Sequence, residues 1–222
     1  MLSHKHKTVF IHIPKTAGQS IELAYLQDLG LNWQTRAPLL LRSNNISSIG
    51  PPRLAHLTHE EYIKYHYASQ ETFDTYFTFS FVRNPYTRAV SFYKYSSEQD
   101  KSFSEFICTD LPRLAHEQKW FFQAQSRFIY NENHKLIVDY LGKFETIESN
   151  FKTVASRSGL NSKKLPKRNV SKVKNKDMIA LKNPLKNFNQ AALDIVNEIY
   201  KDDFENFYPE EKVLRVEQFK YL

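Results

Sequence analysis

The stretch Val9-Phe-Ile-His-Ile-Pro-Lys-Thr-Ala-Gly-Gln-Ser-Ile21 constrains the fold more than any other part of the chain. It opens with β-branched and aromatic residues, which favour a short buried strand. Pro14 ends the strand ladder because it has no N–H to donate. Lys15, Thr16, Ala17 and Gly18 then form a tight turn of small residues around one cation, and from Gln19 the apolar spacing becomes helical through Ile21, Leu23, Ala24, Tyr25, Leu26 and Leu29. A strand, a small-residue turn carrying Lys and a helix N-terminus together make a holder for phosphate-like groups. The turn's backbone N–H groups and the helix dipole face the anion, and Lys15 adds a mobile positive charge. An ordinary strand–turn–helix of an α/β core has the same pattern, so the chemical reading depends on further motifs.

The nucleotide-hydrolase P-loop needs a longer glycine spacing and a Gly before its Lys; here Pro14 precedes Lys15 and Gly18 is the turn's single glycine. Downstream, Thr75–Val82 reads as an aromatic and β-branched strand. It closes in Arg83-Asn84-Pro85, and a helix follows from about Tyr86. Arg83 therefore stands at the C-terminal end of a strand, where open α/β sheets bind ligands. Arg88 and Ser91 follow on the helix. Arg offers a bidentate fork to phosphate and Ser a hydroxyl donor; for Arg88 a solvated or ion-paired role is an equal expectation. Thr58 and Glu61 form a capping box that starts a helix at His59. This puts His56 on an exposed lead-in segment, where a histidine can face a cleft and titrate near neutral pH.

These motifs resemble the sulfotransferases that use 3′-phosphoadenosine-5′-phosphosulfate (PAPS), most closely the carbohydrate sulfotransferase branch of sulfotransferase family 2 type. The loop resembles that family's 5′-phosphosulfate loop, with Gln19 where Thr or Ser is usual, and Arg83-x7-Ser91 resembles its 3′-phosphate motif. The phrase Val-Asp-Tyr-Leu-Gly-Lys-Phe-Glu145 and the closing Tyr200-Lys-Asp-Asp-Phe-Glu-Asn-Phe207 are similar to further family segments, and His56 matches a family histidine. Leu165-Pro166 with Asn169 and Ser171 resembles the loop that closes over the nucleotide, with Lys167 in place of the usual His. The resemblance implies a single α/β domain over residues 1–222, a P-loop-like three-layer fold with a mainly parallel central sheet flanked by helices. It implies transfer of a sulfuryl group from PAPS to an acceptor hydroxyl, on a carbohydrate, leaving adenosine 3′,5′-bisphosphate (PAP), with no metal. Lys15 would neutralise charge on the bridging oxygen. Thr16, Ala17, Gly18, Gln19 and Ser20 would hold the 5′-phosphosulfate, Arg83 and Ser91 the 3′-phosphate, and Asn169 and Ser171 the nucleotide. His56 is the expected general base, with Glu22 on the helix leaving the loop as its rival.

Other segments read less sharply. Leu39-Leu40-Leu41 fits a short strand and Phe103–Cys108 a short helix. Lys135 begins a strand with a turn near Gly142, and a helix runs from Thr146 to Arg157 with Gly159 as its C-cap. Asn187–Tyr200 is an amphipathic helix. The aromatic-rich stretch His116–Tyr130, including Trp120 and Gln125, suits an acceptor groove, although packing on the core is the better expectation for most of it. The 222 residues and 41% hydrophobic content fit one globular domain. Cys108 is the single cysteine, which excludes an internal disulfide. The apolar run after the basic N-terminus is too short for a signal-peptide core or membrane span, so a soluble, cytoplasmic protein is expected. His56 and His59 lack a nearby third ligand, which argues against zinc. The net charge of +7 suits anionic ligands without naming one. Lys163–Lys176 is a basic run that reads as a loop. Two other classes stay open, a P-loop-like nucleotide kinase or hydrolase and a non-enzymatic nucleic-acid-binding protein using loop 163–176; nucleic acid is the less expected partner, and the oligomeric state is not legible.

Overall fold

The computed structural model describes residues 1–96, 101–117, 119–166 and 184–220. The described residues gather into two compact units. One holds Met1–Val82 with the described part of Arg127–Asn169; the other holds Arg83–Ser126 and the described residues from 184 onward.

The elements run β1 (Leu2–Ser3), β2 (Thr8–Ile11), α1 (Gly18–Asp28), α2 (His59–Lys64), α3 (Gln70–Thr75), β3 (Phe77–Val82) and α4 (Pro85–Ser96). Next come α5 (Phe103–Glu105), a π-helical turn (Phe106–Asp110), α6 (Leu111–Glu117), α7 (Lys119–Phe122) and α8 (Ser126–Ile129). The rest is β4 (Tyr140–Lys143), α9 (Ile147–Ser158), α10 (Gln190–Ile199) and α11 (Lys201–Phe207).

In the first unit the strands form one sheet in the order β1-β2-β3-β4. The β1–β2 pair is antiparallel; β2–β3 and β3–β4 are parallel, with Phe10 opposite Phe79 and Phe81 opposite Gly142. The fold is thus α/β, with a mostly parallel sheet flanked by helices. Because successive side chains alternate across a strand, Phe10, Phe79 and Phe81 share one face. There they pack in a core with Ile21 and Tyr25 of α1 and Phe151, Val154 and Ala155 of α9. Burying a Phe or Ile side chain contributes roughly 1.5–3 kcal/mol, so this face anchors both helices. Tyr25 Oη and Ser158 Oγ, 2.6 Å apart, join α1 to α9 inside it.

The capping box at Thr58 and Glu61 forms as the sequence predicts, and Gly159 ends α9 with a left-handed φ of 69°. Other expectations need correction. Leu39–Leu41 is not a strand: a 3-10 turn spans Ala37–Leu39 with Pro38 near its start, and Leu40 is left-handed. The third strand starts at Phe77, because α3 carries the chain to Thr75. The fourth starts only at Tyr140. The Asp139 carboxylate accepts the Thr78 N–H at 2.8 Å, taking the place of a ladder carbonyl. Gly142 is inside that strand rather than in a turn; a Cβ there would lie 2.6 Å from the Phe81 ring. The helix expected over Asn187–Tyr200 is Gln190–Ile199, capped by Asn189.

The second unit has an aromatic core. Tyr86 meets Phe188, Phe204 and Phe219 at ring-centroid distances of 5.6, 4.8 and 5.1 Å, and Phe92 meets Phe122 at 4.7 Å. Such pairs contribute about 0.5–1.5 kcal/mol beyond their burial. Among the described residues, no helix is long and apolar enough to cross a membrane.

Candidate functional site

The loop after β2 folds as the sequence requires and with more strain than it suggests. Lys15 and Ala17 both take positive φ, 72° and 65°. For non-glycine residues this costs of order 1–2 kcal/mol each. Thr16 is buried, and its hydroxyl donates to the Ile13 carbonyl at 2.9 Å. Ala17 is the N-cap of α1 and brings no side-chain oxygen, and no acidic residue stands in the first turn. A helix start without either is electrostatically suited to an external anion. Gly18 has a different task from the one its position suggests. It does not take the left-handed conformation; instead, a Cβ on it would lie 2.1 Å from the His12 imidazole. The glycine lets the His12 ring lie against the helix start. Lys15, Ala17 and Gln19 are half-buried and Ser20 is buried.

Behind this loop His12, Glu22 and His56 meet, all of them buried. His12 Nδ1–H donates to Glu22 Oε1 at 2.5 Å. The His12 and His56 rings are 4.3 Å apart, and His56 Nδ1–H donates to the His12 carbonyl at 2.9 Å. A carbonyl can only accept, so that bond fixes the tautomer and puts the other lone pair of His56 on Nε2. Burial, then the neighbouring His12, hold the His56 imidazole well below its ordinary value. The expectation of an exposed lead-in histidine is therefore corrected: Leu54–His56 is a 3-10 turn that tucks His56 inward against the end of β2. Glu22 likewise points inward. All three residues line a pocket with Gln19, Trp33, Arg36, Leu41, Arg42, Ser43, Arg53 and Ala55. His12 is the member of this cluster that sequence reasoning missed; a polar residue interrupting a strand's apolar run just before the loop was the available signal. No group of three or more His, Cys, Asp or Glu side chains suited to a metal occurs among the described residues.

Arg83 and Ser91 belong to the second unit. Asn84 caps the helix that separates them: its Oδ1 accepts the Tyr86 N–H at 2.9 Å, and Pro85 fills the first helical position, where a missing N–H costs nothing. Arg83 is half-buried, and its Nε donates to Thr87 Oγ1 at 3.0 Å. Thr87 and the half-buried Ser91 follow at helical spacing on one face of α4. Lys94 continues it and is held below its ordinary value by partial burial first and by the Arg83 charge second. Sequence reading passed over Lys94 because a lysine on a helix face normally signifies solvent.

The Arg83 backbone is held at both ends by one buried side chain. Gln125 Oε1 accepts the Arg83 N–H at 2.8 Å, and Gln125 Nε2 donates to the Arg83 carbonyl at 2.8 Å. Gln125 is thus not groove lining. Asp203 in turn accepts the Gln125 and Ser126 N–H groups, both at 2.9 Å, and faces Arg88 across 3.8 Å. Arg88 is 0% exposed. Its Nη1 donates to the Gln123 carbonyl at 3.1 Å, and its guanidinium lies over Phe92 and Tyr200. Of its two expected roles the structure shows the ion pair. Asn169 and Ser171, and most of the basic run, lie outside the described residues.

Against known proteins, the chain is 33% identical over 98 residues to an uncharacterized protein of Archaeoglobus fulgidus, an overlap that takes in 41% of this chain and 74% of that protein. No solved structure matches it significantly. The model of the sulfotransferase family matches residues 1–209, from β1 to beyond α11, and so takes in the Lys15 loop, the His12–Glu22–His56 cluster and the Arg83 strand end together. With a match of that extent, the chain belongs to the sulfotransferase family.

Proposed function

We propose that the protein transfers a sulfuryl group from PAPS to the hydroxyl of a carbohydrate acceptor. The observation that carries this reading is the strained Lys15–Ala17 turn at a helix start without a side-chain cap, with a buried His56 of defined tautomer behind it. The acceptor oxygen attacks sulfur in line; its new S–O bond forms as the bridging S–O bond breaks, and that electron pair leaves on the phosphate oxygen of PAP. Lys15 neutralises the charge developing on the bridging oxygen. The N–H groups from Thr16 to Ser20 hold the 5′-phosphosulfate, and Arg83 and Ser91 hold the 3′-phosphate, with Asn169 and Ser171 contributing to the nucleotide site. His56 Nε2 takes the acceptor's proton, and Glu22 steadies His12 rather than acting on the acceptor. Positioning and charge neutralisation supply most of the rate, as in phosphoryl transfer.

A titration with PAP, with ATP and Mg²⁺, and with an oligonucleotide separates this reading from the nucleotide kinase or hydrolase and nucleic-acid readings. The expected result is tight binding of PAP alone, followed by transfer from labelled PAPS to one or more sugars in an acceptor screen. Preference for ATP with Mg²⁺ or for the oligonucleotide, with PAP ignored, contradicts it.

A further inference from the structure

We propose that Gln125 is a positioning residue for the donor: its buried carboxamide sets the Arg83 backbone, and through it the preference for a nucleotide with a 3′-phosphate. The proposal rests on the reading above that Arg83 holds that phosphate.

Arg83 stands just past the last rung of the sheet. The β3–β4 ladder closes with Val82 opposite Lys143, and β3 itself ends at Val82. The ladder therefore offers the Arg83 N–H and C=O no rung, although backbone groups away from water need partners. Gln125 takes the place of the missing strand. Its Oε1 accepts the Arg83 N–H and its Nε2 donates to the Arg83 carbonyl, both at 2.8 Å. This is the double exchange that a hydrogen-bonded residue pair makes in an antiparallel ladder. A carboxamide carries the required donor and acceptor side by side; an ionised carboxylate has no donor and a methionine has no N–H or carbonyl.

The carboxamide is itself held. Gln125 is 0% exposed, so it meets no ligand directly. Asp203 accepts its backbone N–H and that of Ser126, both at 2.9 Å, and Arg88 faces Asp203 across 3.8 Å. Just before Gln125, the Phe122 and Gln123 carbonyls accept the Tyr200 hydroxyl at 2.9 Å and Arg88 Nη1 at 3.1 Å. In a low-dielectric interior such bonds are stronger than in water, so the segment is a firm support. Arg88, also 0% exposed, belongs to that support and acts on the phosphate site only through it.

The held backbone fixes the direction of the guanidinium. Arg83 Nε donates to Thr87 Oγ1 at 3.0 Å, and the Thr87 hydroxyl donates to the Asn84 carbonyl at 3.1 Å. The side chain is thus aligned by the backbone of residues 83 and 84, which Gln125 secures. Displacing a positioned group by about 1 Å can cost on the order of a hundredfold.

The test is equilibrium binding of PAP and of adenosine 5′-phosphate, which lacks the 3′-phosphate, to the wild type, Gln125→Met, Gln125→Glu and Arg83→Ala. Gln125→Met keeps the side chain's length and removes its amide. It should lose at least tenfold of the preference for PAP, approaching Arg83→Ala, while affinity for adenosine 5′-phosphate changes less than threefold. Gln125→Glu keeps an acceptor for the Arg83 N–H and loses the donor, so at pH 8 its preference should fall between wild type and Gln125→Met. It carries the test if Gln125→Met does not fold. Wild-type preference in the folded variants overturns the inference. So does an equal loss of affinity for both nucleotides, which general loosening of the fold would give. If Arg83→Ala leaves the preference unchanged, the assignment of the 3′-phosphate to Arg83 falls and the inference falls with it. Loss in Arg83→Ala without loss in the Gln125 variants removes the inference alone.

Discussion

Glu22 and Asp203 are both buried carboxylates on helices, each set against a cationic or protonatable partner, and their surroundings differ in a way that separates chemistry from architecture. Asp203 accepts two backbone N–H groups and faces Arg88, whose guanidinium is covered by the rings of Phe92 and Tyr200. Its groups are occupied by the protein itself. Glu22 holds His12, which packs on Gly18 and against His56, and Glu22, His12 and His56 line a pocket. Two imidazoles replace the guanidinium. The first arrangement holds a backbone in place; the second can exchange a proton.

The largest expected effect breaks the architectural side. Arg88→Ala leaves Asp203 buried and without its cation, which typically costs about 3–5 kcal/mol. Chemical denaturation should show that loss, and retention of the wild-type midpoint would place Arg88 outside the stabilising core. Next is Arg83→Ala. A hydrogen bond to a charged group contributes roughly 1.5–3 kcal/mol, so the preference for PAPS over adenosine 5′-phosphosulfate should fall at least tenfold. An unchanged preference would remove Arg83 from the 3′-phosphate site. Gly18→Ala sharpens the other side. Its Cβ must push the His12 ring away, an overpacking that costs about 1–3 kcal/mol, and the displaced ring should carry turnover down with it. A Gly18→Ala protein with normal turnover would show that His12 does not need its place.

The smallest effect is a pH dependence of stability. Burial and His12 keep the folded-state His56 below its ordinary value of 6.5. Below about pH 6.5 the unfolded chain therefore takes up a proton that the folded protein refuses, and stability falls as pH falls. The slope from this one group is at most about 1.4 kcal/mol per pH unit. It should be absent from His56→Ala and so remain as the difference between the wild type and that variant, measured by denaturation between pH 7 and pH 5. A slope of opposite sign would mean that folding favours the charged imidazole.

What was legible in the sequence followed local rules. The β2–loop–α1 unit, the Thr58 capping box, the Gly159 cap and the helix after Arg83 each depend on neighbours within a few residues. What was not legible depended on distant partners. Asp139 delays the start of the fourth strand because its carboxylate finds Thr78, 61 residues away in sequence. Gly142 looks like a turn until Phe81 is seen across from it. Gln125 looks like sugar-binding material and is spent on the Arg83 backbone. His56 was found by its motif, but its burial and tautomer come from the His12 carbonyl, 44 residues earlier. Local pattern located the candidate site, and long-range contacts decide which of its residues are available for chemistry.

The most direct measurement is the pH–rate profile of sulfuryl transfer for the wild type, His56→Ala and Glu22→Gln, with PAP affinity followed alongside. The account predicts an acid limb in the wild type that falls well below the pH at which an ordinary histidine titrates. His56→Ala should keep PAP affinity, lose about a hundredfold to ten-thousandfold in turnover and lose that limb. Glu22→Gln should keep the limb with a smaller loss. If instead Glu22→Gln abolishes the limb and His56→Ala remains active, the proton goes to the carboxylate and the assignment of His56 as the base is wrong.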